Sequence, residues 1–536
     1  MSNLGLQIIY REVNERQDTQ CERFFLPNRE DWPEYVRTNT PLLSMEHQKP
    51  LYEFELIGVA MTFEMDYFHL TDLLALGRIP LVAADRGDQD SLVILGGPCA
   101  TFNPEPLFLF VDVCIIGEGE ETIHRLLDTY YAVKASGANR QELLIALAQV
   151  SGLYVPSLYT HRYDEQGTLV EIIPDSRVPA RVSRQWNELN RPGETVVATP
   201  YTEFGAMYLI EIARGCGRHC RFCMAGYCYR RPRVRSLDSI KEAVLRGKAH
   251  GKKIGLMGAA ISDYPEIDEL VEFIRNEGLP FSCASLRADS ITKTIVQGLV
   301  ESGQKTITLA PEAGSADMRS VINKGISDED LYHSIDLAAA AGIKHVRLYI
   351  MVGLPWETEE DIDAIIAMTE DVRHYMDQKE CRGRLTLSVN PFIPKPFTPF
   401  QWLPMTDKKT VDTRLGRITK TFRKDSRIEV RCESTKESYI QGVLARGDRR
   451  ISEVLLKAHD YGGTGGWKRA LKELKINGDT YLYQNRPIDS ILPWQVLDMG
   501  LAPGYLADEL AAAEKRAYTL PCFPGCTRCR VCGGKP

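Results

Sequence analysis

Between Met207 and Asn390 the chain repeats one unit: an apolar run of strand length, a loop, then helical sequence. The runs are Met207 to Ala213, Ile254 to Met257, Phe281 to Leu286, Thr306 to Ala310, His345 to Met351 and Leu385 to Asn390. A strand that returns through a helix comes back parallel to the last one, so the repeat predicts an α/β layer built on a parallel sheet. Parallel β/α layers carry their active sites at the carboxyl ends of the strands. The loop after each run is therefore where chemistry is to be sought.

The loop after the first run reads Arg-Gly-Cys-Gly-Arg-His-Cys-Arg-Phe-Cys from Arg214 to Cys223, which puts Cys216, Cys220 and Cys223 at C-x3-C-x2-C spacing. A 4Fe-4S cluster that only carries electrons takes four protein thiolates, so three on one loop leave one iron open for a small molecule. The bland alternative is a structural zinc loop, for which a fourth ligand at zinc spacing is missing nearby. His219 is expected to point away from the site, and Cys228 to be a small buried residue.

With the aromatic Phe222 just before the third cysteine, this loop resembles the signature of the radical S-adenosylmethionine (SAM) superfamily. The resemblance implies a partial (β/α)6 barrel whose open iron chelates the amino and carboxylate groups of SAM. An electron from the cluster would cleave a carbon–sulfur bond to give a 5′-deoxyadenosyl radical. The later strand ends extend the likeness. Met257-Gly258-Ala259 stands where the superfamily meets SAM's amino group with backbone, and Arg287 is placed to hold a carboxylate. Ala310-Pro311-Glu312-Ala313-Gly314-Ser315 resembles the G-x-E-S-G-S turn whose acid meets the ribose, which points to Glu312 and Ser315. Val352-Gly353-Leu354-Pro355-Trp356-Glu357-Thr358 resembles the turn that lines the adenine, which points to Gly353 and Leu354. Each turn alone would also serve as an ordinary strand-to-helix cap. Asn390 to Trp402 is too proline-rich to continue a central strand. It resembles the closing segment of a largely uncharacterised branch, and that likeness includes Val321-Ile322-Asn323-Lys324-Gly325.

Upstream, Leu56 to Ala60, Leu92 to Leu95 and Val111 to Ile116 read as strands, with a helix over Tyr67 to Leu76 and another after Glu120. Strands alternating with helices predict a doubly wound, Rossmann-like parallel sheet. Gly96-Gly97-Pro98 and Gly117-Glu118-Gly119 end two of these strands, where a flat ligand would approach closely; tight turns alone would use the same residues. In sequence these turns resemble the cobalamin-binding-like domain that precedes one radical SAM branch, which implies cobalamin at Gly96, Gly97, Gly117 and Gly119. The D-x-H-x-x-G motif of many cobalamin proteins is absent, since Asp66 and His69 stand at another spacing. The expected domains are 1–173 (cobalamin-binding-like), a proline-rich linker 174–204, a barrel 205–404, and a small α+β C-terminal region 405–536.

The tail carries a second cluster. Cys522, Cys526, Cys529 and Cys532 form C-x3-C-x2-C-x2-C, enough to ligate every iron of a second 4Fe-4S cluster, with zinc as the alternative. Seven of the 14 cysteines sit in these two tight groups, unlike a disulfide framework, so a reducing cytoplasmic setting is expected. No apolar run approaches a membrane span, and charged residues precede any signal-like stretch. A net charge of −7, from 65 basic and 72 acidic residues, gives no global nucleic-acid footprint. Arg230, Arg231, Arg233 and Arg235, and again Arg446, Arg449 and Arg450, are read either as solvated faces or as phosphate or carboxylate contacts.

The reading is a radical SAM enzyme that uses a 4Fe-4S cluster, SAM and an electron donor such as a flavodoxin or ferredoxin. Its substrate is a small molecule or RNA. Methyl transfer, methylthio transfer and rearrangement all begin with the same radical. The rival classes are a non-catalytic Fe–S electron carrier or redox sensor, and a zinc-dependent nucleic-acid-binding module.

Overall fold

In the computed structural model, which describes residues 3–283 and 286–532, the chain forms two units. Ala284 and Ser285, inside the third expected strand, lie outside the described residues. One unit is Ile8–Asn187 with Ile440–Gly500; the other is Met1–Gln7, Glu188–Tyr439 and Leu501–Pro536.

The first unit is built on β1 (Leu56–Ala60), β2 (Leu92–Gly96) and β3 (Val113–Ile115), parallel and in that order, with β4 (Leu153–Tyr154) antiparallel at the edge. Leu92 to Leu95 are all buried, as a parallel strand covered on both faces must be. The helix Tyr67–Leu76 joins β1 to β2. The helix Arg140–Ala148 is opened by a capping box, Asn139 accepting from the Glu142 N–H while the Glu142 carboxylate accepts from the Asn139 N–H.

The region expected as one C-terminal piece is divided between the units, because residues 440–500 are stitched into this one. Asn103 Nδ2 donates to Ala445 O and Gly447 O at 3.0 and 2.9 Å. Arg449 reaches the buried Glu105 carboxylate at 3.0 Å and lies 4.2 Å over the Phe108 ring. Arg450 pairs with Asp448 at 2.6 Å, and Arg446 is fully buried, donating to Tyr481 O. These arginines are internal cross-links, neither a solvated face nor a phosphate site. The expected linker is extended but paired. Val182–Ser183 lies parallel to Leu497–Asp498, and farther along Thr195 N donates to Leu209 O at 2.9 Å.

The second unit carries the repeat. Its strands are β5 (Met207–Glu211), β6 (Lys253–Met257), β7 (Phe281–Cys283), β8 (Thr306–Glu312), β9 (His345–Val352), β10 (Leu385–Pro391) and β11 (Ile428–Cys432). They form the parallel sets β7-β6-β5 and β8-β9-β10-β11, which a parallel bridge between Leu286 and Leu309 joins. Six strands match the expected runs, and β11 adds a seventh. Along β9 burial alternates. Val346, Leu348, Ile350 and Val352 pack into one core with helix residues such as Ile335, Ile365 and Val372. Each such fully buried side chain contributes about 1.5–3 kcal/mol. Because strand side chains alternate, Tyr349 and Met351 face the opposite, half-buried side, as do their partners in register on β10, Ser388 and Asn390, whereas β8 slips register between Leu309 and Glu312. Capping boxes start the helices Asp328–Ala341 (Ser327 with Asp330) and Glu359–Gln378 (Thr358 with Asp361).

Candidate active site

The three-cysteine loop leaves β5 and is pinned at its base, where Ala213 and Arg214 pair antiparallel with Val234 and Arg233. Cys220 is buried, while Cys216 and Cys223 are partly buried. All three are free thiols. Burial, helped by the neighbouring thiols, pushes Cys223 up to about 12, and burial also raises Cys216. Metal ligation displaces such protons, since a thiolate is the ligand. Among the described residues no three His, Cys, Asp or Glu side chains converge as ligands of a single metal ion. In a cubane each thiolate takes its own iron.

Positive charge stands beside the thiols. Arg287 Nη1 is 4.0 Å from Cys220 Sγ, and Lys324 Nζ lies 5.9 Å over the Phe222 ring while pairing with Glu312 Oε1 at 3.2 Å. Phe222, Lys324, Glu312 and Cys223 thus form one neighbourhood, and an anionic cluster with three thiolates fits it electrostatically. Lys324 was not singled out as a site residue; the signal available was its place in the Val321 to Gly325 likeness.

Arg287 is engaged otherwise than expected. Its fork already holds Asp289 by two bonds, at 2.9 and 3.0 Å, and Nη2 also donates to Lys324 O. Arg218, inside the cysteine loop, forks onto Asp263 at 2.8 Å and reaches Asp289 at 2.9 Å. Partial desolvation pushes the Asp263 carboxyl up, but the Arg218 guanidinium, with Ser290 and Arg287, more than offsets it and holds the carboxyl below the usual range. The network ties the loop to the segments after β6 and β7.

Met257 ends β6, where its carbonyl accepts from Ile212 N at 2.9 Å, and the Gly258 backbone lies against Ala213, with Ala259 next in the turn. Glu312 ends β8 in the left-handed region, at φ 69°. Ser315 acts as a cap: its Oγ accepts from Met318 N and donates to Asp361 at 2.6 Å. Gly353 and Leu354 follow β9. Their turn is held by Glu357, which accepts from Gly353 N at 2.7 Å and from Arg414 at 2.8 Å, and by Thr406, which donates to Gly353 O.

Burial pushes the Glu357 carboxyl up to about 7, although Arg414 and the Gly353 N–H pull the other way. A carboxyl raised above its ordinary 4.5 contributes stability that is complete below that value and is lost as pH rises through about 7. The thermal midpoint should therefore fall between about pH 5 and about pH 8, and Glu357→Gln should flatten that slope in a pH series of melts. An unchanged slope in the variant would show that other groups carry it.

His219 points away from the three loop thiols, as expected, while the basic run departs from one of its two expected forms. His219 is buried with its ring turned onto Tyr505, whose hydroxyl lies 2.6 Å from Nδ1, and onto Arg230. Burial, then Arg230, lowers its pKa to about 3. Arg230, Arg233 and Arg235 are also buried, so the basic run is no solvated face. Cys228 is buried.

In the other unit, three of the four glycines meet the chain itself. A Cβ on Gly97 would lie 2.7 Å from Met61 O, one on Gly117 2.2 Å from Gln185 O, and one on Gly119 3.0 Å from the Ile9 side chain. Only at Gly96 would a Cβ find nothing within 4 Å. At these three positions a neighbouring segment of the chain itself requires glycine. His69 is mostly exposed and pairs with Asp66 on its own helix.

Two family models match: "Radical SAM proteins, N-terminal" over residues 5–156 and "Radical SAM superfamily" over residues 210–369, which holds the cysteine loop and the turns after β6 to β9. An uncharacterized protein of Methanocaldococcus jannaschii is 31% identical over 427 residues, 78% of this chain and 84% of that protein. The chain belongs to the radical SAM superfamily. This radical SAM protein is also similar to a tRNA-2-methylthio-N(6)-dimethylallyladenosine synthase of Prosthecochloris aestuarii, at 22% identity over 70% of this chain and 87% of that one. Among solved structures it is similar to the radical SAM methyltransferase TsrM of Kitasatospora setae, with a TM-score of 0.45 and 16% identity over 72% of this chain and 69% of the other. It is thus an enzyme of the 4Fe-4S cluster and SAM, requiring a reductant and acting on a substrate. Among the described residues no helix is long and apolar enough to cross a membrane.

Proposed function

We propose that the enzyme binds SAM across the carboxyl ends of β5 to β9 and uses the resulting radical for methyl or methylthio transfer to a substrate at the half-buried inner face of the barrel. The observation that carries this is the single neighbourhood of Cys223, Phe222, Lys324 and Glu312 beside Arg287. When bound, the cluster would supply the one electron that SAM cleavage needs.

Cys216, Cys220 and Cys223 would hold three irons of the cluster. The backbone of Met257, Gly258 and Ala259 faces the amino group. Arg287, steadied by Asp289, would lend positive charge beside the Cys220 thiolate. Lys324 holds Glu312 Oε1 and leaves Oε2 for a ribose hydroxyl. Gly353 and Leu354 border the adenine, while Ser315 shapes the Glu312 turn through its cap. Tyr349, Met351, Ser388 and Asn390 line the substrate side. Similarity to a methylthio-transferring tRNA enzyme supports the transfer class and makes RNA one candidate substrate. The two tight thiol clusters, which need a reducing compartment, support a cytoplasmic setting.

Glu312→Gln keeps the shape and removes the charge. It should cost about 1.5–3 kcal/mol of SAM affinity, the worth of a hydrogen bond to a charged group, without changing iron content. Anaerobic equilibrium dialysis with labelled SAM checks this. Unchanged affinity would remove Glu312 from the ribose site. For the whole assignment the test is release of 5′-deoxyadenosine by the reconstituted, reduced enzyme.

A further inference from the structure

The C-terminal cysteines stand against the back of the catalytic loop. Cys522 N donates to Gly217 O at 2.8 Å, one residue from the ligand Cys216. A Cβ on Gly217 would lie 3.3 Å from Cys522 Cβ. Arg230, with no exposed surface, aims Nη1 at two tail thiols, Cys522 Sγ at 3.7 Å and Cys529 Sγ at 3.6 Å. Its Nη2 is 3.4 Å from Arg218 O, inside the catalytic loop. His219 Nε2 lies 3.7 Å from Cys522 Sγ. Cys529 is buried against Tyr227 and Tyr505, and Arg528 Nε donates to Cys526 Sγ at 3.3 Å. A buried guanidinium shared by two thiols calls for negative charge on them, which a thiolate-ligated metal group provides.

We propose that Cys522, Cys526, Cys529 and Cys532 hold a second 4Fe-4S cluster that receives the external electron and passes it to the catalytic loop, with Arg230 as a positioning residue that sets its potential. The site itself stands on the tail residues; its relay role rests on the radical SAM reading above. One electron from a low-potential flavodoxin- or ferredoxin-type donor reduces the tail cluster, and the same electron moves on to the catalytic one. No bond forms or breaks in the relay. Hydrogen bonds and net charge around the sulfurs set such potentials, so the Arg230 contacts favour the reduced, more negative state.

The test uses the full chain, reconstituted anaerobically with iron and sulfide, and three variants. Wild type should hold about eight irons, the triple variant Cys216→Ala/Cys220→Ala/Cys223→Ala about four, and Cys526→Ser/Cys532→Ser about four. Reduced wild type should show two magnetically interacting EPR signals, of which SAM perturbs one. Each cysteine variant should lose one signal and sharpen the other. Arg230→Gln should shift the tail midpoint to more negative potential and leave the catalytic midpoint in place. Reduced flavodoxin should reduce the catalytic cluster more slowly in the tail variant than in wild type. If the double variant does not fold, Cys532→Ser alone, at an exposed position, reads the same signal. Stoichiometric zinc without iron in the triple variant would overturn the proposal, as would an unchanged flavodoxin rate in the tail variant. If instead the tail variant held no iron while the triple variant kept its cluster, the catalytic assignment would fail and the tail site would stand.

Discussion

Cys220→Ala should abolish 5′-deoxyadenosine release while the barrel stays folded. As a whole residue Cys220 is the most buried of the three loop cysteines, and it is the one that Arg287 approaches. Removing it leaves one iron of the cubane without its thiolate, so the cluster is lost or mislocated and SAM loses its electron source. The effect on activity is complete, because the substrate radical has no other origin. The effect on stability is small. The loop is held by groups other than this thiol: the Ala213–Arg214 ladder, the Arg218 carboxylate pairs, and Asn323 Nδ2, which donates to His219 O at 3.1 Å. Chromatography of dithionite-reduced reactions, with circular dichroism as the fold control, measures both. Normal product from the variant would sink the assignment.

Arg221→Met should produce a large loss of stability. Arg221 lies between Cys220 and Phe222, yet its guanidinium has no exposed surface and faces away from the cluster ligands. It donates to Ser320 O and Val321 O at 3.0 Å, to Ala517 O at 2.7 Å and to Thr519 Oγ1, and pairs with the Glu509 carboxylate at 3.2 Å. One side chain thus clasps the catalytic loop, the segment that leads to Lys324, and the chain that leads into the tail cysteines. Methionine fills much of the volume but leaves the buried Glu509 without its cation and three carbonyls without their donor. Loss of one partner of a buried pair costs about 3–5 kcal/mol. Urea unfolding of the apo protein should show that loss, and the double variant Arg221→Met/Glu509→Leu should recover part of it. Wild-type stability in Arg221→Met would mean that water replaces the clasp.

Much of the barrel was legible in sequence because its signals are local. The apolar run His345 to Met351, for one, is the strand His345–Val352 of the structure. The cysteine spacing is equally local, and the turns around Glu312 and Gly353 follow their strands directly. β11 escaped because Ile428–Cys432 is a short edge strand whose side chains are mostly only partly buried.

What sequence could not decide is what each polar or small residue meets. Arg230 and Arg449 look alike in a basic run, yet one is buried against Cys522 and Cys529 and the other against Glu105. Gly97 and Gly117 carry the composition of a ligand turn, yet Met61 and Gln185 occupy the space beside them. The sequence by itself determined the alternation of strand and helix, the three-thiol loop and the four-thiol tail, all set by neighbours within a few positions. Only the tertiary structure decided that residues 440–500 join the N-terminal unit, that His219 turns toward the tail, and that Cys522 hydrogen-bonds to the catalytic loop. Those outcomes depend on burial and charge pairing between segments hundreds of residues apart, which no local pattern encodes.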